Sequence, residues 1–393
     1  MREDGSHKCL KAVLAFCTLF LAGCYGAEPK NSFEESTGPK ILAEFTIARG
    51  ERPIFLPVSF KGKEYLFVLD TGCSHTTFDT SFRHQLGGAK KIGKGLTAGG
   101  PVMSELFHAP EAFIGPLDMQ NCGEVSCSDF KMVSLVSGEK ISGVIGMNFL
   151  KRYVIQIDFD EGILSFLKST EHQNANWGKE LAINFHSMGI PQIKGKILSD
   201  VTADFFIDTG CNSTGDLAGK LFKEVISKRK AKTSEALAIT TAGIIRQRLV
   251  RIGDLSIGLF DYQDIIFSEG IFSCLGLSFL SRHIVTFDFP NSKIYLKKGK
   301  EFKKVDETDM SGLHLLRVSN KTIVHSVDEG SPAKEAGIRA NDAILKIGNK
   351  DTTEYNIWEL RRLLMSINNH KITMTIKRGD DVNKVSFLLN RKI

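Results

Sequence analysis

The chain predicts a mainly β protein made of two homologous all-β lobes, followed by a smaller α+β domain. Three observations point there. The tripeptide Asp70-Thr71-Gly72 returns as Asp208-Thr209-Gly210, and each copy closes an apolar run, Phe67-Val68-Leu69 or Phe205-Phe206-Ile207, of the kind that forms a buried strand. The surroundings repeat as well: Pro53 and Pro191 lie 138 residues apart, as do Asp70 and Asp208, and residues 142–159 then align with 272–289 at an offset of 130. That second stretch sets Gly146-Met147-Asn148-Phe149-Leu150 on Gly276-Leu277-Ser278-Phe279-Leu280. Beyond Leu296 the pattern changes, with a helix start, a glycine stop and a strand following one another.

In chain order, the first 24 residues stand apart from any fold. Arg2, Lys8 and Lys11 precede an apolar run over 12–22, too short to span a bilayer as a helix but of signal-peptide length. The run ends Leu21-Ala22-Gly23-Cys24, which resembles the bacterial lipobox, whose Cys is acylated after cleavage. The expectation is a signal over 1–24, a lipid on Cys24 and a flexible polar tether over 25–40. The protein is then exported and anchored facing the periplasm. Tyr25, rather than Asp, follows the Cys, which by resemblance to enterobacterial sorting favours the outer membrane. Five cysteines remain, Cys73, Cys122, Cys127, Cys211 and Cys274; Cys122 and Cys127 closing a small loop and all five staying reduced are both open readings.

Composition excludes several classes. The 393 residues are 42% hydrophobic and 24% charged, an ordinary globular balance. A net charge of +6, with no basic stretch interleaved with aromatics, argues against a nucleic-acid partner.

Lobe one, 41–168, carries strand candidates at 45–47, 54–60, 65–69, 144–145 and 153–159, with Lys61-Gly62-Lys63 as a tight hairpin turn. Lobe two, 180–297, carries them at 193–197, 203–207, 249–252 and 283–287, with one short helix expected at 217–225. Between the aspartate and the distal glycine of each lobe lies another echo, Leu96-Thr97-Ala98-Gly99-Gly100 and Thr240-Thr241-Ala242-Gly243. Gly99 and Gly100 are candidates for a hairpin tip that bends over a ligand.

Two apolar-apolar-Asp-Thr-Gly motifs, each with a later apolar-apolar-Gly strand, resemble the aspartic proteases, and the short lobes look like two retropepsin-type units fused in one chain. The resemblance spans roughly 41–296. It implies that Asp70 and Asp208 meet across the lobe interface as the catalytic pair, supported by Thr71, Gly72, Thr209 and Gly210, and that protein or peptide substrates are cut by an activated water. Cys73 and Cys211 depart from the Ser, Thr or Ala usual after each glycine, and no Tyr occupies the first flap candidate. The chemistry requires a pair: one carboxylate deprotonates the water while the other, holding a shared proton, serves the carbonyl oxygen. No run with metal-ligand spacing is present, so neither metal nor cofactor is expected. One chain supplying both aspartates suggests a monomer; a non-cutting peptide-binding scaffold and lobes paired between two chains are the rival readings.

Residues 297–309 read as a linker. Gly330-Ser331-Pro332-Ala333, Ala336-Gly337 and the run 341–348 then resemble a bacterial PDZ domain over 310–393, with a second helix at 357–364. That resemblance implies binding of peptide C-termini as an added strand, the terminal carboxylate resting on backbone amides of Ser311, Gly312 and Leu313 ahead of a strand over 313–318.

Overall fold

Alternation and apolar runs become strands as expected. The strand Phe55–Phe60 buries Leu56, Val58 and Phe60, while Lys63–Leu69 ends in three consecutive buried residues, Phe67, Val68 and Leu69. Lys61 and Gly62, both at positive φ, form the two-residue turn between them, the geometry that matches the right-handed twist of a hairpin. A computed structural model describes residues 39–97, 100–168, 175–199, 201–240 and 243–393; Cys24, the expected signal over 1–24 and residues 25–38 of the expected tether lie outside them.

The two lobes repeat one arrangement. In lobe one the strand Ile141–Ile145 runs parallel to Lys63–Leu69 and antiparallel to Thr77–Asp79. In lobe two Cys274–Leu275 runs parallel to Val201–Ile207 and antiparallel to Gly215–Ala218. A third sheet of six strands joins the lobes, three from each side, in the order Ile41–Thr46, Ile163–Leu167, Val154–Asp158, His283–Asp288, Lys293–Lys298, Lys179–Ala182. Its central pair sets Gln156 opposite Thr286, and the Gln156 amide donates to the Thr286 hydroxyl at 2.8 Å. These are equivalent positions of the two repeats, so the local two-fold axis of the duplication passes between them.

The expected helix at 217–225 begins later than its sequence suggests. Leu217 lies in the strand Gly215–Ala218, and the helix is Gly219–Arg229, which buries Phe222 and Val225. Apolar spacing alone cannot distinguish the end of a buried strand from a first helical turn.

Residues 297–309 are no free linker. Lys297 and Lys298 finish the strand Lys293–Lys298, and Asp306 is buried on lobe two. Its carboxylate accepts from the guanidinium of the fully buried Arg282 at 2.6 Å, from the Thr214 hydroxyl at 2.6 Å and from the Ile266 amide at 2.8 Å. Arg282 also donates to the Lys304 carbonyl. A charge-rich stretch looks solvated in sequence because its counter-charge, Arg282, is remote along the chain.

The carboxyl-terminal sheet runs Leu313–Val318, Lys321–Val327, Ala343–Ile347, Lys371–Arg378, Asp381–Leu388, which leaves Leu313–Val318 at an edge. The lobe-one helix Lys131–Ser137 is called α1, Gly219–Arg229 α2, and Ile357–Leu364 α3. α3 starts on a capping box of Asn356 and Glu359 and buries Ile357, Leu360 and Leu364. α1 packs against both the edge strand and α3, and Arg361 on α3 bridges them, donating to the Val136 carbonyl at 2.9 Å and the Leu315 carbonyl at 3.0 Å.

Removing Asp306 strands the buried guanidinium of Arg282. Asp306→Ala is expected to lower unfolding free energy by about 3–5 kcal/mol, read as a shift in urea midpoint. A loss below about 1 kcal/mol contradicts the clamp.

Candidate active site

Each aspartate sits where a buried strand stops. The Asp70 amide donates to the Ile145 carbonyl and the Asp208 amide to the Leu275 carbonyl, both at 3.0 Å, so the apolar-apolar-Gly strands hold the two loops from below. The loops then lock into each other. The Thr71 amide donates to the Thr209 hydroxyl at 3.0 Å, while that hydroxyl donates to the Leu69 carbonyl at 2.8 Å. Reciprocally, the Thr209 amide donates to the Thr71 hydroxyl at 3.0 Å, and that hydroxyl donates to the Ile207 carbonyl at 2.7 Å. Both threonines are fully buried.

This exchange forces the aspartates together. A Cβ added at Gly72 would meet the Asp208 carboxylate at 2.4–2.7 Å, and one at Gly210 would meet Asp70 at 2.6–2.7 Å. Glycine is therefore required by close approach on both sides. The Gly72 amide donates to Asp70 at 2.8 Å; Asp208 accepts from the Gly210 amide at 2.9 Å and the Cys211 amide at 3.1 Å. Burial pushes the Asp70 carboxyl well above the carboxylate range, and the neighbouring Asp208 charge adds to the rise. Burial raises Asp208 too, but its amide donors and Asp70 oppose the rise. The Gly72 and Cys73 amides oppose the rise at Asp70 in the same way, and the two carboxyls titrate together as one pair.

Cys73, the first of the two cysteines that depart from the expected motif, is not poised as a nucleophile. Cys73 donates its thiol to the His75 carbonyl at 3.0 Å, and burial, with Asp70 nearby, pushes that thiol up to about 12. Cys274 is buried and held well above the usual thiol range by a thiol hydrogen bond with Cys211 and by burial. All five described cysteines are free thiols, so Cys122 and Cys127 do not close a loop.

A cleft of about 420 Å³ opens beside Asp208. Its described lining comes from lobe two, together with Gly72, and includes Ile245, Arg246 and Gln247 of the hairpin formed by Thr233–Thr240 and Gly243–Ile252. Gly100 stands at the tip of the corresponding lobe-one hairpin, opposite Thr97, at φ 115°; Gly99 falls outside the described residues. The sequence reading missed Asp216 in the cleft wall. Its signal is a departure from the repeat: Asp216 pairs with Cys274 where the equivalent Val144 pairs with Thr77, so an acid replaces a hydroxyl.

In the carboxyl-terminal domain, Ser311, Gly312 and Leu313 form the loop before the edge strand, as the sequence suggests, but their amides are taken. The Asp309 carboxylate accepts from the Ser311 amide at 3.0 Å and the Gly312 amide at 2.5 Å; the Leu313 amide donates to the Ser311 hydroxyl at 3.1 Å. Gly312 adopts φ 78°, and a Cβ there would strike the Ser331 hydroxyl at 2.4 Å. Burial raises the Asp309 carboxyl.

Residues 56–149 match the family model described as aspartyl protease, and residues 323–378 match the one described as PDZ domain. The crystal structure of an aspartic proteinase from Irpex lacteus is similar at 14% identity and a TM-score of 0.42, over 66% of this chain and 98% of that one. No curated protein matches the chain in sequence. The chain joins an aspartyl protease domain to a carboxyl-terminal PDZ domain.

Proposed function

We propose that the protein is an aspartic endopeptidase that works as a monomer, with Asp70 and Asp208 as its single catalytic pair. The observation that carries this reading is the reciprocal threonine exchange, which sets each carboxylate against the glycine of the opposite loop. Asp208, whose anion is stabilised by two amides, takes the proton of an attacking water. Asp70, whose carboxyl is raised, gives its proton to the carbonyl oxygen of the scissile bond. Thr71, Thr209, Gly72 and Gly210 act as positioning residues: the threonines fix the loops and the glycines leave room for the carboxylates.

Asp70→Asn and Asp208→Asn keep the side-chain shape and remove the shared proton. Each is expected to cut kcat/KM on a peptide by about 10³-fold or more, and a halving would mean two separate sites. The same substrate gives the sign of the pH dependence. The working form holds one proton, so activity falls on the alkaline side as Asp70 loses it, above the ordinary carboxylate range because Asp70 is raised. On the acid side activity falls as Asp208 gains a second proton. A rate still climbing through alkaline pH contradicts the pair.

The PDZ domain, on this reading, recruits substrates by their carboxyl termini, and Asp309 is the group a tail must displace from the Ser311 and Gly312 amides. α1 lies along the same edge strand, so an added peptide strand competes with it as well. Asp309→Ala is expected to tighten binding of a peptide with an apolar carboxyl terminus by about tenfold, measured by fluorescence anisotropy. No binding by either protein assigns the domain a packing role alone.

The lipid anchor on Cys24, holding the protein at the outer membrane and facing the periplasm, completes the proposal and rests on Leu21-Ala22-Gly23-Cys24. Cys24→Ser is expected to abolish fatty-acid labelling and release the protein from membranes. Unchanged labelling excludes this site.

A further inference from the structure

The two sides of the carboxylate pair are not alike, although the repeat makes them equivalent. In lobe one the position facing the catalytic loop is Thr77, whose hydroxyl is hydrogen-bonded to that of Ser126 at 2.7 Å. Beside it Val68, Phe130, Ile141 and Val144 form a closed apolar cluster, with Phe130, the residue that begins α1, and Val133 of α1 packed in. In lobe two the same register position is Asp216, reached through a one-residue slip at Gly215, and the residue of α2 that lines the space before it, Gly219, has no side chain to fill it. The cleft there remains open, with Asp208 at one end.

The charge around this cleft is unbalanced towards the negative. Asp208, Asp216 and Glu269 line it against one arginine, Arg246, which pairs with Glu235 at 3.5 Å, while Glu269 takes two bonds from Arg248 outside the lining at 2.8 and 3.0 Å. Asp216 has the Ser268 hydroxyl and the like charge of Asp208 as its electrostatic neighbours. Burial, with Asp208 adding, pushes its carboxyl up to about 7, so its anion is held at a cost that a bound cation would offset. The walls suit the rest of a long side chain, since Met188, Ile190, Phe206, Ile271 and Phe272 offer apolar surface between the cleft mouth and the acid.

We propose that Asp216 is a specificity-determining residue, and that the lobe-two cleft accepts a substrate Lys or Arg on one side of the scissile bond. The aliphatic stem lies along the apolar wall and the ammonium or guanidinium meets the Asp216 carboxylate. The filled lobe-one side takes a smaller or apolar group. This inference rests on the peptidase reading above and deepens it.

The test uses the full-length chain and two peptide sets identical except that Lys is replaced by norleucine, which keeps the stem and removes the charge, at each position flanking the cut. Titration with a statine-containing inhibitor runs in parallel and counts folded active sites. Wild type is expected to cleave the Lys peptide with kcat/KM about tenfold or more above its norleucine twin at one position. Asp216→Asn should bring the ratio to within about twofold while still binding the inhibitor. Equal cleavage of both twins by wild type overturns the inference and leaves the peptidase reading standing. A ratio that persists in Asp216→Asn assigns the selectivity to another residue and overturns it too. Neither cleavage nor inhibitor binding by wild type overturns both. Should Asp216→Asn fail to bind inhibitor, Asp216→Thr, which places there the hydroxyl residue of the equivalent lobe-one position, takes its place in the same comparison with the same two outcomes.

Discussion

Two carboxylates brought into contact are the constraint around which the rest of the chain is arranged. Like charges at such range oppose each other, and nothing in either loop alone would hold them there. The opposing cost is met by four buried hydrogen bonds across the two loops, two exchanged between Thr71 and Thr209 and two from their hydroxyls to the Ile207 and Leu69 carbonyls, and by the absence of a side chain at Gly72 and Gly210. Each loop completes the other's hydrogen bonding, so neither is satisfied unless the lobes are docked. Two docked loops are therefore a structural requirement.

Two further devices keep the lobes in register. The six-stranded sheet crosses the interface through Gln156 and Thr286, fixing the axis about which the two loops face each other. Asp306 then ties the segment leading to the PDZ domain back onto Thr214, a few residues beyond Asp208, through a buried cluster with Arg282. On the other side α1 contributes to the apolar cluster next to Cys73 while it packs against the PDZ edge strand. α1 is thus shared between the lobe-one cluster and the PDZ edge strand.

Much of this was legible in the chain because it depends on local pattern. The Asp-Thr-Gly repeat, the 138-residue offset, the Lys61-Gly62 turn and the Ile357–Leu364 helix with its apolar face each follow from short-range rules. What escaped depends on partners far away in sequence. Asp306 looked solvated because Arg282 and Thr214 are remote, and Asp309 looked like linker because the amides it caps were assigned to a ligand. Leu217 was drawn into a helix because its role as a strand end is set by Ile265–Gly270 beside it. Asp216 was visible only as a break in the repeat, and its meaning needed the register of Cys274.

Both carboxylates take backbone amide donors, Asp70 from Gly72 and Cys73 and Asp208 from Gly210 and Cys211, so the repeat extends to the pair itself, and burial raises both carboxyls. The central claim is that one chain builds one complete site. Binding of a statine-containing transition-state mimic, followed by calorimetry with the mass of the complex read by sedimentation, tests it most directly. The account predicts one inhibitor per chain in a complex of monomeric mass; one inhibitor per two chains, or two per chain, contradicts it.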